Sequence, residues 1–345
     1  MVIAGSMGAV AKSGEAKKTW VRHGRIALRR CAAAILTTLA LTIGGARIAC
    51  AQAYPTKPIR IFVGAGPDLV ARVIAQKFTE ALGQQVVVEQ LPGAGGLIAA
   101  QTVLKARPDG YTLLFSTATY VALEAFRPDI SFNLARDFAP IGKIGEGPAV
   151  LYAHPSLGVK TLADLLKVAK ERPGQLNCAS TGPGTQAHLG CEMLRQYGKI
   201  DIVHVPYNGI GPALVDTLAG RAQLLFGFLV SMPYVASGKL VALAVTGPKR
   251  VASAPELPTT AEAGLPQLEY TTWYGLDAPK GTPKPIIDRL NAELVKTLAD
   301  PMVKEKIQSI GFEAEPSTPE EFGQFVETEL SKWQKIVKET GAKPE

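Results

Sequence analysis

From Ile59 onward, short apolar runs alternate with segments whose apolar residues recur at helical spacing, the pattern of α/β lobes built on largely parallel sheets. Residues 59–63 predict a strand. Leu69, Val70, Val73, Ile74, Phe78 and Leu82 mark one face of a helix that Asp68 caps and Gly83 ends. A strand at 86–89, the glycine-rich loop 92–96, a helix through Val103 and Leu104, the turn 108–110 and a strand at 111–115 complete a β-α-β-α-β run. The same grammar resumes after His154-Pro155, with helix 162–170, strand 176–179, helix 186–196 and strand 202–205. Helix 212–218, strand 224–228, a short helix near Tyr234 and strand 240–245 follow.

The chain then runs through 271–278 and turns helical and charged over 285–299 and 319–339. These last helices are expected to pack back on the first lobe. The predicted organisation is a leader over 1–53, a first lobe made of 54–152 and 271–345, and a second lobe over 153–270. Two crossings, near 150–156 and 270–278, form the hinge of a closing cleft. A length of 345 residues suits two such lobes.

Charge changes the picture. The chain carries 37 Lys and Arg against 30 Asp and Glu, but residues 1–53 hold eight of the basic residues and one acidic residue, leaving 29 of each in the body. A neutral body without a basic stripe lacks the electrostatic footprint of nucleic-acid binding, so no nucleic-acid partner is expected. The basic leader precedes an apolar run at 31–44 and then small residues, which reads as an export signal cleaved after Ala51 or Ala53, with a periplasmic destination. That run is well short of the ~20 residues a membrane span needs, and Thr37, Thr38 and Thr42 interrupt it. Export leaves Cys178 and Cys191 where a disulfide could persist, but with one at a strand end and the other inside the next helix, they read as two separate core residues.

Ligands of parallel α/β lobes sit beyond the carboxyl ends of the strands. Four loops there share small residues, hydroxyls and a following helix: 64–68, 116–119, 180–185 and 207–211. Each can offer backbone N–H groups to an anion without a Lys or Arg, which suits a small carboxylate. The candidate ligand contacts are Gly64, Ala65, Gly66, Asp68, Thr117, Thr119, Ser180, Thr181, Gly182, Gly184, Thr185, His188, Tyr207, Gly209 and Gly227. Gly182-x-Gly184-x-x-Ala187 loosely matches a dinucleotide fingerprint, but its strand is short and no phosphate loop accompanies it. His188, Cys191 and Glu192 share a helical face without completing four ligands, so no metal and no cofactor is expected. With no Gly-x-Ser-x-Gly elbow or His-Glu-x-x-His, catalysis has no visible constellation.

The body resembles the Bug family, the extracytoplasmic solute-binding components of tripartite tricarboxylate transporters. The stretches that carry the likeness include Tyr54-Pro55-Thr56-Lys57-Pro58-Ile59, Pro92-Gly93-Ala94-Gly95-Gly96, Pro108-Asp109-Gly110-Tyr111-Thr112-Leu113, Val203-His204-Val205-Pro206-Tyr207 and Glu262-Ala263-Gly264-Leu265-Pro266. The resemblance implies a two-lobed type II periplasmic-binding-protein fold, a carboxylate held by loop backbone groups, membrane permease subunits as partners, a monomer and no chemistry. Two departures stand out. The 64–68 loop is about four residues shorter than the family's corresponding loop, and Gly227-Phe228 stands where an Asp-Asn pair commonly follows Phe226, favouring a less polar carboxylate, aromatic ones included; a mono- or dicarboxylate is the expected cargo. The competing readings are a secreted α/β enzyme acting on a carboxylated substrate and a ligand-sensing adaptor for a signalling receptor.

Overall fold

The computed structural model describes residues 54–64, 68–127 and 129–343. The leader, and with it the predicted cleavage site, lies outside the described residues, as do Ala65 and Gly66. The first stretch comprises β1 (Ile59–Val63), α1 (Leu69–Leu82), β2 (Val86–Gln90), α2 (Leu97–Leu104), β3 (Thr112–Thr117), α3 (Ala118–Phe126), α4 (Leu134–Asp137) and β4 (Phe138–Pro148). Then come β5 (Val150–Ala153), α5 (Leu162–Glu171), β6 (Asn177–Ser180), α6 (Gln186–Gly198), β7 (Val203–Pro206), α7 (Ile210–Leu218), β8 (Leu224–Gly227), α8 (Met232–Ala236) and β9 (Val241–Val245). The chain closes with β10 (Thr271–Pro279), α9 (Lys284–Ala299), α10 (Pro301–Ser309), β11 (Glu313–Ala314) and α11 (Pro319–Thr340).

Eleven strands form two sheets among the described residues, in the orders β11-β4-β10-β3-β1-β2 and β7-β6-β8-β5-β9. Helices flank both, as the alternating pattern predicts. The sheets are mixed in direction, however. β1, β2 and β3 pair in parallel, as do β6, β7 and β8, whereas β10, β4 and β11 run antiparallel in the first sheet and β5 does so in the second. β4 escapes the apolar pattern because Gly142, Gly145 and Gly147 interrupt it. Those glycines are there for close approach: a Cβ on Gly147 would lie 2.5 Å from the Gly311 carbonyl oxygen. Ala149 separates β4 of the first sheet from β5 of the second, and β10 returns the chain to the first sheet after β9.

Local signals set the helix ends. Gly83 closes α1 in the left-handed conformation, its N–H donating to the Thr79 carbonyl. Thr161 with Asp164, and Thr318 with Glu321, form reciprocal capping boxes on α5 and α11. Asp68 does not cap α1 with its side chain as expected; its carboxylate instead takes the Arg72 guanidinium one turn on, at 2.7 Å from Nε. α11 lays Trp333 and Phe322 into the core, where Phe322 meets Trp273 of β10 edge-on at 5.6 Å.

Cys178 and Cys191 are bonded to each other, with Cα atoms 6.1 Å apart, which corrects the expectation of two separate core residues. The parallel β6 hands directly into α6, and α6 folds back over its own strand, so a strand-end cysteine and one in the second helical turn come face to face.

Candidate functional site

A cleft of about 680 Å³, counting the part open to solvent, lies where the two sheets meet. Five of the predicted contacts line it: Gly64, Thr117, Thr119, Thr181 and Gly227. Gly64 sits at the end of β1, where a Cβ would lie 2.7 Å from Gly96 Cα and 2.8 Å from the Tyr120 hydroxyl, so only glycine lets these loops meet. Thr117 caps α3, accepting the Thr119 N–H.

Of the other predicted residues, those of the 180–185 loop and His188 support the wall from behind. Ser180 is buried, its Oγ accepting the Gly182 N–H at 3.1 Å and lying 2.6 Å from His204 Nε2. Thr185 caps α6 and donates to the Gly182 carbonyl at 2.7 Å. Gly184 donates its N–H to His188 Nδ1 at 2.9 Å, so the proton of a neutral His188 sits on Nε2. Burial first, then the neighbouring His204 and Arg195, pushes the His188 pKa down to about 3, and the ring stays neutral between His204, stacked at 3.9 Å, and the edge of Phe126. His188 and Glu192 therefore hold structure together, and Cys191 is spent in the disulfide; no cluster of candidate metal ligands occurs among the described residues. Tyr207 donates to Asp216 at 2.8 Å outside the cleft, Gly209 precedes α7 with φ +105°, and Asp68 is engaged by Arg72.

The residues missed by sequence reasoning supply most of the apolar lining. Tyr120, Phe226, Phe228, Tyr270 and Tyr274 contribute rings, while Gly95, Ala149, Gln186, Ala187, Ile210 and Thr272 fill the remaining wall. Gln186 also donates across the meeting of the sheets to the Thr271 carbonyl at 2.7 Å. Gly95 and Ile210 lay in loops already marked by glycine, but Tyr270 and Tyr274 had no local signal, because β10 is brought to the cleft by pairing with β3. The first residues of α3, α6 and α7 all border the cleft, and among the described residues no Lys, Arg, Asp or Glu lines it.

Behind the cleft floor, Asp277 of β10 is 2% exposed. Burial pushes its pKa up to about 7, and the neighbouring Ser116 lowers it only in part; neither Ser116 Oγ nor Asp277 Oδ2 has a well-placed hydrogen-bond partner. The folded state thus keeps a proton that the unfolded chain has already lost. The contribution of Asp277 to stability is therefore greatest below about pH 4 and falls as pH rises toward about 7. Asp277→Asn should remove that decline, raising stability at pH 8 by on the order of 2 kcal/mol, with the gain vanishing near pH 4. Urea midpoints across pH measure it; a constant difference between the two proteins would rule out Asp277 as the titrating group.

The sequence matches the family described as "Tripartite tricarboxylate transporter family receptor" over residues 70–342. The chain belongs to this receptor family. Among its relatives, the "UPF0065 protein in tcbD-tcbE intergenic region" of a Pseudomonas species is 38% identical over 320 residues, 91% of this chain and 95% of that protein. The periplasmic binding protein BugD superposes with a TM-score of 0.80 at 31% identity, covering 85% of this chain and 100% of its own. An R. palustris protein solved with adipate gives a TM-score of 0.81 at 33% identity, with 85% and 100% covered. These receptor-family proteins are solute-binding proteins and not enzymes, and so is this chain. The two-lobed periplasmic-binding-protein fold agrees with the architecture above.

Proposed function

We propose that this receptor-family protein captures a small carboxylate in the cleft and delivers it to the membrane permease subunits of a tripartite tricarboxylate transporter. The observation that carries this reading is the convergence of three helix N-termini, those of α3, α6 and α7, on a cleft that, among the described residues, no charged side chain lines. The aligned helix dipoles, and the first-turn N–H groups beyond those taken by the Thr117 and Thr185 caps, favour an anion there, and with no ammonium or guanidinium among the described lining residues a small carboxylate is better matched than a polyphosphate. The similar protein solved with adipate supports the same chemistry. In this proposal Gly64, Thr117, Thr119, Thr181 and Gly227 touch the ligand. Ser180, Thr185 and His188 hold the 180–185 loop in place, and the aromatic walls accept an apolar or aromatic body.

Capture works by closure. Residues 54–148 and 271–345 form one lobe and 150–270 the other, the boundary lying ahead of the expected 152/153 because β5 (Val150–Ala153) pairs in the second sheet; the lobes rotate about the crossings at Ala149 and near Thr271, and the ligand stabilises the closed population. The protein acts as a monomer in the periplasm after loss of its leader; among the described residues no helix is long and apolar enough to cross a membrane. A thermal-shift screen against aliphatic and aromatic carboxylates, followed by calorimetry, tests the reading. Binding at a hundredfold excess over Kd adds about 2.7 kcal/mol of stability. A saturable shift with the ligand recovered unchanged is expected; no shift across the panel, after refolding to strip carried-over ligand, overturns it.

A further inference from the structure

One residue bonds to both chain crossings between the lobes. Thr246 follows β9 in the second lobe, while Ala149 forms the first crossing and Tyr270 leads into the second. The Thr246 N–H donates to the Ala149 carbonyl at 2.9 Å, and its carbonyl accepts the Tyr270 N–H at 2.8 Å. The hydroxyl repeats the connection. Oγ1 accepts the Ala149 N–H at 3.0 Å and donates to the Tyr270 carbonyl at 2.8 Å. The Ala149 carbonyl, 3.4 Å away, is the poorer acceptor for that single proton.

Thr246 is itself held from the second lobe. Val245 beside it pairs with Val150 of β5, donates its N–H to the Pro258 carbonyl and accepts the Thr260 N–H. Thr246 is fully buried, and its β-branched side chain has few rotamers open to it, so the hydroxyl stays aimed at the crossings. The crossings have space on two sides. Ala149 and Tyr270 line the cleft, whereas their chain neighbours Pro148 and Thr271, with Gly247, line a second cavity of about 540 Å³, counting the part open to solvent. Segments with room on both sides can turn, and their hydrogen bonds set what they turn about. Gln186 bonds to the second crossing alone, at the Thr271 carbonyl.

A buried donor and a buried acceptor left without partners are costly. Without the hydroxyl, the Ala149 N–H and the Tyr270 carbonyl regain partners only by moving apart toward water. We propose that Thr246 is the pin of the hinge: its hydroxyl makes the crossings at Ala149 and Tyr270 turn together, which confines the lobes to one closing path. Thr246 does not line the cleft. It is a positioning residue for the closure that brings Gly64, Thr117 and Thr119 of one lobe against Thr181 and Gly227 of the other. The inference goes beyond carboxylate capture, because it concerns how the lobes move whatever the cleft holds.

Interlobe distances measured without ligand by double electron–electron resonance test it. The leader-free protein is spin-labelled at Lys105→Cys in the first lobe and Lys170→Cys in the second, both exposed positions, while the disulfide keeps Cys178 and Cys191 from the label. Thr246→Val keeps the shape of the side chain and drops the hydroxyl; it should give a distance distribution about twice as wide as the wild type's, and Thr246→Ser should restore the wild-type width. Thr260→Val is the control. Thr260 is equally buried and donates to the Leu268 carbonyl at 2.7 Å, but both lie within the second lobe, so its loss should lower the melting temperature without widening the distribution. An unchanged width in Thr246→Val, equal widening in Thr260→Val, or no restoration by serine would overturn the assignment. Should Thr246→Val not fold, amide exchange in the wild type decides: the Ala149 and Tyr270 N–H groups should share one opening equilibrium, and separate ones overturn the pin. With no ligand in the experiment, failure here leaves carboxylate capture standing, and a failed carboxylate screen leaves this result standing.

Discussion

Replacing Cys178 and Cys191 together with alanine lowers the stability of the folded chain by about 3 kcal/mol, the size expected when a loop of this length is no longer closed in the unfolded state. The bond spans a sequence separation of 13 and ties β6 to α6, both cysteines being at most 1% exposed. Between them runs the 180–185 loop, whose Thr181 lines the cleft and whose Gly184 holds the His188 ring. Loosening this staple therefore weakens ligand binding as well as the fold. Urea midpoints of the variant, and of the wild type with and without reductant, provide the measurement. A wild-type midpoint indifferent to a reductant that demonstrably opens the bond would show that the disulfide contributes nothing to stability.

Gly184→Ala is expected to reduce ligand affinity by about 100-fold while the protein remains folded. Gly184 adopts φ +75°, and a Cβ there would lie 2.5 Å from Phe126 Cδ1 and 3.1 Å from Leu123 Cδ2. Those two side chains belong to α3 on the opposite side of the cleft, so the added methyl group wedges the sheets apart and depletes the closed population. Gly238→Ala serves as the control: its φ is +70° and nothing lies within 4 Å of its added Cβ, so it carries the backbone strain alone. Calorimetry on both variants separates the effects. Wild-type affinity in Gly184→Ala would mean that the contact with Phe126 is not needed for capture.

The relation of the site to the sequence differs wall by wall. The loops after β1, β3 and β6 announce themselves because glycine and hydroxyl residues are required wherever backbone must approach backbone or turn with positive φ, as at Gly64 and Gly184. Yet within the 180–185 loop the predicted contacts divide. Thr181 reaches the cleft, while Ser180 and Thr185 turn inward to satisfy the loop's own polar groups. Both serve the turn, and residue type alone does not distinguish a hydroxyl offered to a ligand from one consumed by the backbone.

The sequence by itself determined what depends on near neighbours: the periods of α1, α5 and α11, the caps at Thr161 and Thr318, the parallel strands with their helices, and the order of motifs that marks the receptor family. Only the tertiary structure decided what depends on residues far apart in the chain. β10 pairs with β4 across more than a hundred residues and carries Thr272 and Tyr274, with Tyr270 just ahead of it, to the cleft, yet none of these advertises a site locally. The Cys178–Cys191 bond, the neutral His188 and the protonation of Asp277 belong to the same class. Each is set by burial and by the packing of elements against one another, quantities that exist only once the chain has folded.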